Sequence, residues 1–428
     1  MKKVNSLLVK CCLTITIFLF VIRIMAFSHI IEESIRYRIY LILSFLIFVP
    51  FIFSIFLSSG KELLYTIKTN LFVIIYLALS LFFTYNNKSE AAVETVVFEM
   101  FYLFVGFNML KFLDRKDLKV LFKTFIILVL ILNVLTVAIY FLLRLDNICE
   151  MREIYRFIND YTLYKRYPYS ALYTNPNYAG IVTGISFLMS ISILKKRGVL
   201  FWCFTAFSMW FIYFQRCRSA QFALFVCLLC YLFNVSFKKV KAKYIMYAIL
   251  MLSLTVSVGI SMFAYSHSQK QSDILNMTEV ETKINSVSSN RYLIWKLDLY
   301  ATRKEALFGT GTLQKQKEYR NQLLTEIYPK EQVEQIIKSY HYINAHNGYI
   351  GTTIVRGIIG LFLFLMILLN RIWIMEEGEA QKWFLCISFI FIINIFESYF
   401  ITEYFVSCFL LMLFFASGSV ENYRRKND

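Results

Sequence analysis

Apolar runs of about 20 residues, the length an α-helix needs to cross a bilayer core about 30 Å thick, recur along the whole chain between short polar connections. About twelve runs meet that length criterion within a few residues, near residues 11–28, 39–58, 70–84, 93–112, 121–143, 178–195, 199–215, 219–237, 244–265, 348–370, 383–397 and 404–418. The pattern predicts an all-α polytopic membrane protein: transmembrane helices 1–5 over 1–143, an extracytoplasmic segment over 144–177, helices 6–9 over 178–265, one large polar loop over 266–347, and helices 10–12 with a cytoplasmic tail over 348–428. Lys2-Lys3 before the first run imitates a signal peptide, yet no small-residue cleavage site follows and Arg23, Ile24 and Met25 continue the stretch, so this run reads as a retained span.

The 266–347 loop concentrates the polar chemistry and has a helical pattern of its own. Ser288-Ser289-Asn290, a start signal, precedes a stretch carrying Tyr292, Leu293, Trp295, Leu297, Leu299 and Tyr300, which stops at Phe308-Gly309-Thr310-Gly311. From about Lys315 to Tyr340, apolar residues at helical spacing are interrupted by Pro329, which predicts two short amphipathic helices. They either cover a lateral opening or pack on the protein. The chain returns to the apolar phase through His346-Asn347-Gly348-Tyr349, followed by Arg356-Gly357 and Gly360.

Composition agrees with this reading: 58% of the 428 residues are hydrophobic and 17% charged, against about 25% charged in soluble domains. The formal net charge of +17 could suggest nucleic acid, but its distribution follows the excess of Lys and Arg in cytoplasmic loops. With the N-terminus inside, Lys61, Lys68, Lys111, Arg115, Lys116, Lys119, Lys195-Lys196-Arg197, Lys238, Lys239, Lys241, Lys243, Arg371 and Arg424-Arg425-Lys426 all face the cytoplasm. Both termini are then cytoplasmic, the large loop is external, and no nucleic-acid partner is needed. The nine cysteines show no zinc-like spacing, and Cys149 and Cys217 near the outer face are candidates for a disulfide. The two halves show no internal repeat, which counts against a transporter built from repeats.

Basic residues on the outer side oppose the insertion bias and so mark candidate chemistry. Arg216-Cys217-Arg218-Ser219 fills a tight external turn; two readings stay open, arginines that snorkel to the interface and an anion clamp using the bidentate, always-charged guanidinium. The segment with Arg152, Arg156, Lys165 and Arg166 ends in Asn175-Pro176-Asn177, which is suited to start a helix because Asn caps and Pro fits the first turn. Arg36 and Arg38, after His29 and Glu32-Glu33, read as a solvated loop. A neutral imidazole can accept a proton from a hydroxyl, and His346 at the membrane boundary is placed to do so. His341, five residues earlier, is off the same helical face and makes no metal pair with it. Gly309-x-Gly311 could bring backbone amides to an anion.

The order Arg291-x-x-x-Trp295, Gly309-x-Gly311, then His346-Asn347-Gly348-Tyr349 opening a span, together with Asn175-Pro176-Asn177 and Arg218-Ser219-Ala220 upstream, resembles the O-antigen polymerase and ligase superfamily over roughly residues 170–370. The resemblance implies a glycosyl transferase of the cytoplasmic membrane that uses undecaprenyl-pyrophosphate-linked oligosaccharides as donor and acceptor at the outer face, without metal or other cofactor. It further implies His346, Arg291, Arg218 and Arg216 as catalytic residues. Asn175, Asn177, Trp295, Gly309, Gly311, Asn347 and Tyr349 would bind substrate, and a chain-length regulator and a flippase would be partners. The few Gly and Pro with abundant Lys, Ile, Phe and Tyr fit an AT-rich genome and a capsule producer without lipid A, which favours a repeat-unit polymerase of capsule or O-antigen over a ligase. A polysaccharide flippase is the alternative from another class, but it predicts short outer loops and charges within spans.

Overall fold

The computed structural model describes residues 2–23, 25, 38–39, 42–43, 45–46, 49, 60–87, 90–108, 113, 115–144, 168–194, 198–236, 240–268, 277–288, 291–329, 333, 345–398, 400 and 406–418. Among the described residues the fold is helical, with no strand and one isolated bridge between Met25 and Tyr173. In chain order the helices are α1 (Lys2–Arg23), α2 (Gly60–Thr69), α3 (Leu71–Asn87), α4 (Glu90–Glu99) continued by a π-turn over Met100–Gly106, α5 (Arg115–Arg144), α6 (Pro176–Ile193), α7 (Val199–Phe214), α8 (Arg218–Ser236), α9 (Ala242–Ser266), α10 (Glu279–Val287), α11 (Arg291–Ala301), α12 (Leu313–Ile327), α13 (Gly348–Ile374), α14 (Glu377–Phe396) and α15 (Val406–Gly418).

Six of these, α5, α6, α8, α9, α13 and α14, are long and apolar enough to cross a membrane, and a seventh span results if α2 and α3, bent by 71°, are taken as one. Among the described residues six or seven of the expected twelve spans are thus accounted for. Four of the apolar runs form shorter helical segments, Lys10–Leu19, Thr95–Phe104, Val199–Phe214 and Cys408–Gly418, and most of the run at 39–58 lies outside the described residues. Outside them too are His29, Glu32, Glu33, Arg36, Lys111, Cys149, Arg152, Arg156, Lys165, Arg166, Lys195, Lys196, Arg197, Lys238, Lys239, Ser289, Asn290, Tyr340, His341, Arg424, Arg425 and Lys426.

Helix α14 forms the axis of the bundle. Every residue from Trp383 to Ile395 is buried, so the helix is apolar all round and enclosed by protein; α6, α8, α9, α13 and α15 pack against it. Within a bilayer, close van der Waals packing replaces the hydrophobic effect as the force between helices, and small residues permit it. A Cβ on Gly184 would meet the Phe389 ring at 2.5 Å, and one on Gly180 would meet the Cys217 Cβ at 2.6 Å, so α6 closes on both α14 and the start of α8. The outer helices instead leave apolar side chains such as Leu200, Met262, Phe362 and Trp373 exposed, as a lipid-facing surface requires.

Helix α13 is broken at Gly357, whose φ of 69° and ψ of −179° depart from the helix. The turn after α11 fills the break: the amides of Thr310 and Gly311 donate to the carbonyls of Ile354 and Val355 at 2.8 Å each, while those of Ile358 and Ile359 donate to Ala306 and Leu307. Inserted backbone thus completes the interrupted ladder and accounts for the kink. A Cβ on either Gly309 or Gly357 would collide with the other strand of this junction, and both have positive φ, which glycine alone adopts without strain.

Among the described residues the loop before α13 carries the α-helices α10, α11 and α12. Helix α10 starts with a capping box, in which Thr278 and Glu281 satisfy each other's backbone amides. Glu281 also takes Lys296 Nζ at 2.7 Å and the Tyr292 hydroxyl at 2.8 Å. Burial opposes its ionisation, but these donors more than reverse that and lower its pKa to about 2. The predicted helical stretch from Tyr292 corresponds to α11, whose Tyr292 amide donates to the Ser288 hydroxyl. Helix α12 locks onto it through Asp298, which accepts from Arg320 at 2.9 Å and Gln316 at 2.7 Å, all three buried. It ends at Ile327, before Pro329.

Candidate functional site

At one end of the bundle the first turns of α6, α8, α11 and α13 converge on the last turn of α14, and the residue that gathers them is Glu397. Its side chain is only 5% exposed. Oε1 accepts from Arg291 Nη2 at 2.5 Å and from Asn177 Nδ2 at 2.7 Å, and Oε2 lies 3.2 Å from His346 Nδ1. Burial pushes the carboxyl toward its neutral form, yet Arg291 and His346 outweigh this and hold it below the usual carboxylate range. An ionised carboxylate only accepts hydrogen bonds, so Nδ1 of His346 must be the protonated nitrogen. In its neutral form the ring then keeps its lone pair on Nε2. The His346 side chain is 27% exposed, enough for a substrate to reach it.

Each member is placed by its local structure. Asn175 caps α6, its side chain accepting from the Asn177 amide at 2.8 Å, and this aims Asn177 at Glu397. Trp295, one turn into α11, donates from Nε1 to the carbonyl of Ala345, pinning the residue before His346. His346 itself has φ 43°, a left-handed conformation that costs a non-glycine residue about 1–3 kcal/mol and persists only where its surroundings enforce it. Asn347 enforces it: Oδ1 caps α13 at the amides of Tyr349 and Ile350, Nδ2 bonds Ser257 Oγ at 3.0 Å and the Ile395 carbonyl at 2.9 Å, and its amide donates to Ser398 Oγ. Tyr349 is buried and donates to the Phe391 carbonyl. Of the residues expected to bind substrate, Asn175 Oδ1, Trp295 Nε1 and the Asn347 amide are thus engaged in placing Asn177 and His346, and the Tyr349 hydroxyl ties α13 to α14.

The Arg216–Arg218 turn reaches the same place through the residue between its arginines. Cys217 is buried with a free thiol 3.8 Å from the Asn177 carbonyl and 3.4 Å from Ser219 Oγ, and burial raises its pKa to about 11, so it stays protonated. Arg216, at φ 54°, and Arg218 both point away from the core. With Tyr140, Tyr169, Trp210 and Tyr213 they line an open cavity of about 590 Å³, where the Arg216 guanidinium lies 5.5 Å from the Tyr169 ring centre. Gly309 and Gly311 belong to the junction with α13: the amides of Gly309, Thr310 and Gly311 donate to the carbonyls of Glu305, Ile354 and Val355, so this turn presents no free amide to an anion. Among the described residues no group of three or more His, Cys, Asp or Glu could hold a metal ion.

Glu397 is the member that sequence reasoning passed over. The available signal was an acidic residue directly after an apolar run, in Phe396-Glu397-Ser398, on the side where Arg291 and His346 border the loop. A carboxylate at the end of a buried helix needs a cation, and two candidates had already been singled out.

Comparison with known families matches residues 203–365 to the Wzy_C family, described as O-antigen ligase. No curated protein and no solved structure matches the chain. The matched stretch contains Arg216, Arg218, Arg291, Trp295, Gly309, Gly311 and His346 and ends before Glu397. Over that stretch the chain is similar to this family, which agrees with the resemblance read from the motifs.

Proposed function

We propose that the protein is a polysaccharide repeat-unit polymerase that joins undecaprenyl-pyrophosphate-linked oligosaccharides at the outer face of the cytoplasmic membrane. The observation that carries this reading is the convergence on Glu397 of Arg291 and His346, a cation for the leaving group and a base for the acceptor. A hydroxyl oxygen of the acceptor sugar attacks the anomeric carbon of the donor, and its proton passes to Nε2 of His346. The bond from that carbon to the phosphate oxygen breaks, and its electron pair leaves with undecaprenyl pyrophosphate. Arg291, with Arg216 or Arg218 at the adjoining cavity, stabilises the charge that develops there. A single displacement inverts the anomeric centre, and the cations take the part a divalent metal would otherwise fill.

The family description favours one second reading, a ligase that hands a finished chain to another acceptor. Deleting the gene and analysing lipid-linked saccharides separates them. Single repeat units on the carrier are expected for a polymerase, whereas full-length chains left on the carrier identify a ligase, and units retained on the inner leaflet point to a flippase and refute both.

A further inference from the structure

We propose that Glu397 is a positioning residue that exchanges partners: it neutralises Arg291 until a lipid diphosphate takes that arginine, and is then left to His346. The inference rests on the transfer reading above. The bond from Arg291 Nη2 to Glu397 Oε1 occupies the guanidinium edge that would grip a phosphate oxygen bidentately. A diphosphate arriving there sets its negative charges beside a carboxylate that is almost wholly shielded from water, where like charges repel strongly. The carboxylate and the phosphate therefore compete for Arg291.

The remaining bonds of Glu397 determine where it goes. Oε1 keeps Asn177 Nδ2 at 2.7 Å, a fixed pivot because Asn177 is held in the first turn of α6. Oε2 already faces His346 Nδ1, while the nearby Cys217 thiol is protonated and adds no charge. Losing Arg291 therefore turns the carboxylate from a shared counter-ion into one committed to His346. The imidazolium that forms when Nε2 receives the acceptor's proton then has a full negative partner, and the Nδ1 proton stays on the ring. The base gains strength only after the donor is bound, so the stabilisation is realised in the transition state and not in the free protein.

This assignment makes the two effects of removing the carboxylate opposite in sign, which a merely structural role would not do. The purified full-length chain in lipid nanodiscs is titrated with undecaprenyl pyrophosphate, and its transfer of lipid-linked repeat units is measured under the same conditions. Glu397→Gln should bind the diphosphate lipid tighter, by roughly tenfold for one unit of like charge removed, while its turnover falls about 10- to 100-fold. Glu397→Asp, one methylene too short to span Arg291 and His346 at once, should shift both quantities in the same directions by less, and it supplies the result if the glutamine variant is not recovered folded. Equal or weaker diphosphate binding in these variants, with wild-type transfer intact, overturns the exchange of partners. Wild-type protein that transfers nothing refutes the transfer reading instead.

Discussion

Glu99 with Arg356 and Glu397 with Arg291 are both carboxylate–arginine pairs, and their chemistry differs because their surroundings do. At Glu99 the pair is sealed. Oε1 accepts from Arg356 Nε at 2.8 Å and from the Tyr76 hydroxyl at 3.1 Å, Arg356 Nη2 lies 2.7 Å from it as an ion-pair contact, and Arg356 Nη1 donates to the Gly311 carbonyl at 2.7 Å; Arg356 and Glu99 are 1% and 0% exposed. The pair ties α3, α4 and α13 to the inserted turn. At Glu397 the same two residue types meet a half-open histidine, and Arg291 retains 17% exposure. A buried ion pair closed off from water holds structure together, whereas one beside a reachable cation and a reachable histidine can do chemistry.

The comparison is tested most severely at His346. His346→Ala should lower transfer about 10²- to 10⁴-fold, the usual worth of a positioned base, with unchanged protein in the membrane; long chains made at the normal rate would remove it from the mechanism. Arg291→Ala should cost about 10²- to 10³-fold in turnover, read in the same assay. The sealed pair should respond in stability. Arg356→Met leaves Glu99 buried and uncompensated, a loss of about 3–5 kcal/mol, seen as a lowered unfolding temperature in detergent, and adding Glu99→Leu should recover most of it. If Arg356→Met instead kept its stability and lost activity, the two centres would not divide as stated.

Smaller effects sharpen the picture. Gly357→Ala should destabilise by about 1–3 kcal/mol, because its φ of 69° disfavours a Cβ; the same thermal assay measures it. Glu281 supplies a pH test. Its folded pKa of about 2 lies below the ordinary 4.5, so the contribution to stability is complete above pH 4.5 and disappears as pH falls toward 2. The protection of amides in α10 and α11 against exchange, relative to their intrinsic rates, should therefore be unchanged at pH 5 and decline only below 4.5. Glu397, depressed for the same kind of reason, predicts the same sign at the site.

Much of the site was legible because charge and polarity interrupt the apolar pattern at Arg216, Arg218, Asn177, Arg291 and His346, and four helix starts and one helix end bring these borders together. Glu397 was not, since pairing across 106 residues to Arg291 and 51 to His346 leaves no local periodicity to detect. The capping box at Thr278 and Glu281 was written in the chain but lay outside the stretches read as helix. The length of each helix was less legible, for a different reason. Apolar runs show where a helix is enclosed or meets lipid, but not its length: α7 and α15 reach 16 and 13 residues, and Gly357 interrupts a run that looks continuous.

The junction of the 306–311 turn with α13 also acts as a surveyor's datum. From Gly348 to Gly357 the helix climbs about 1.5 Å per residue, so the clamp at Gly357 sets the height of His346 in the bundle independently of whatever chain connects residues 312 and 345. Under the transfer reading, substitutions in that interval that spare Gln316 and Arg320, which hold Asp298, leave His346 in place, whereas one residue inserted between Gly348 and Gly357 would rotate His346 by about 100° away from Glu397. Variants that change the interval but keep those two side chains should accordingly be tolerated, and variants that alter the residue count between His346 and Gly357 should not.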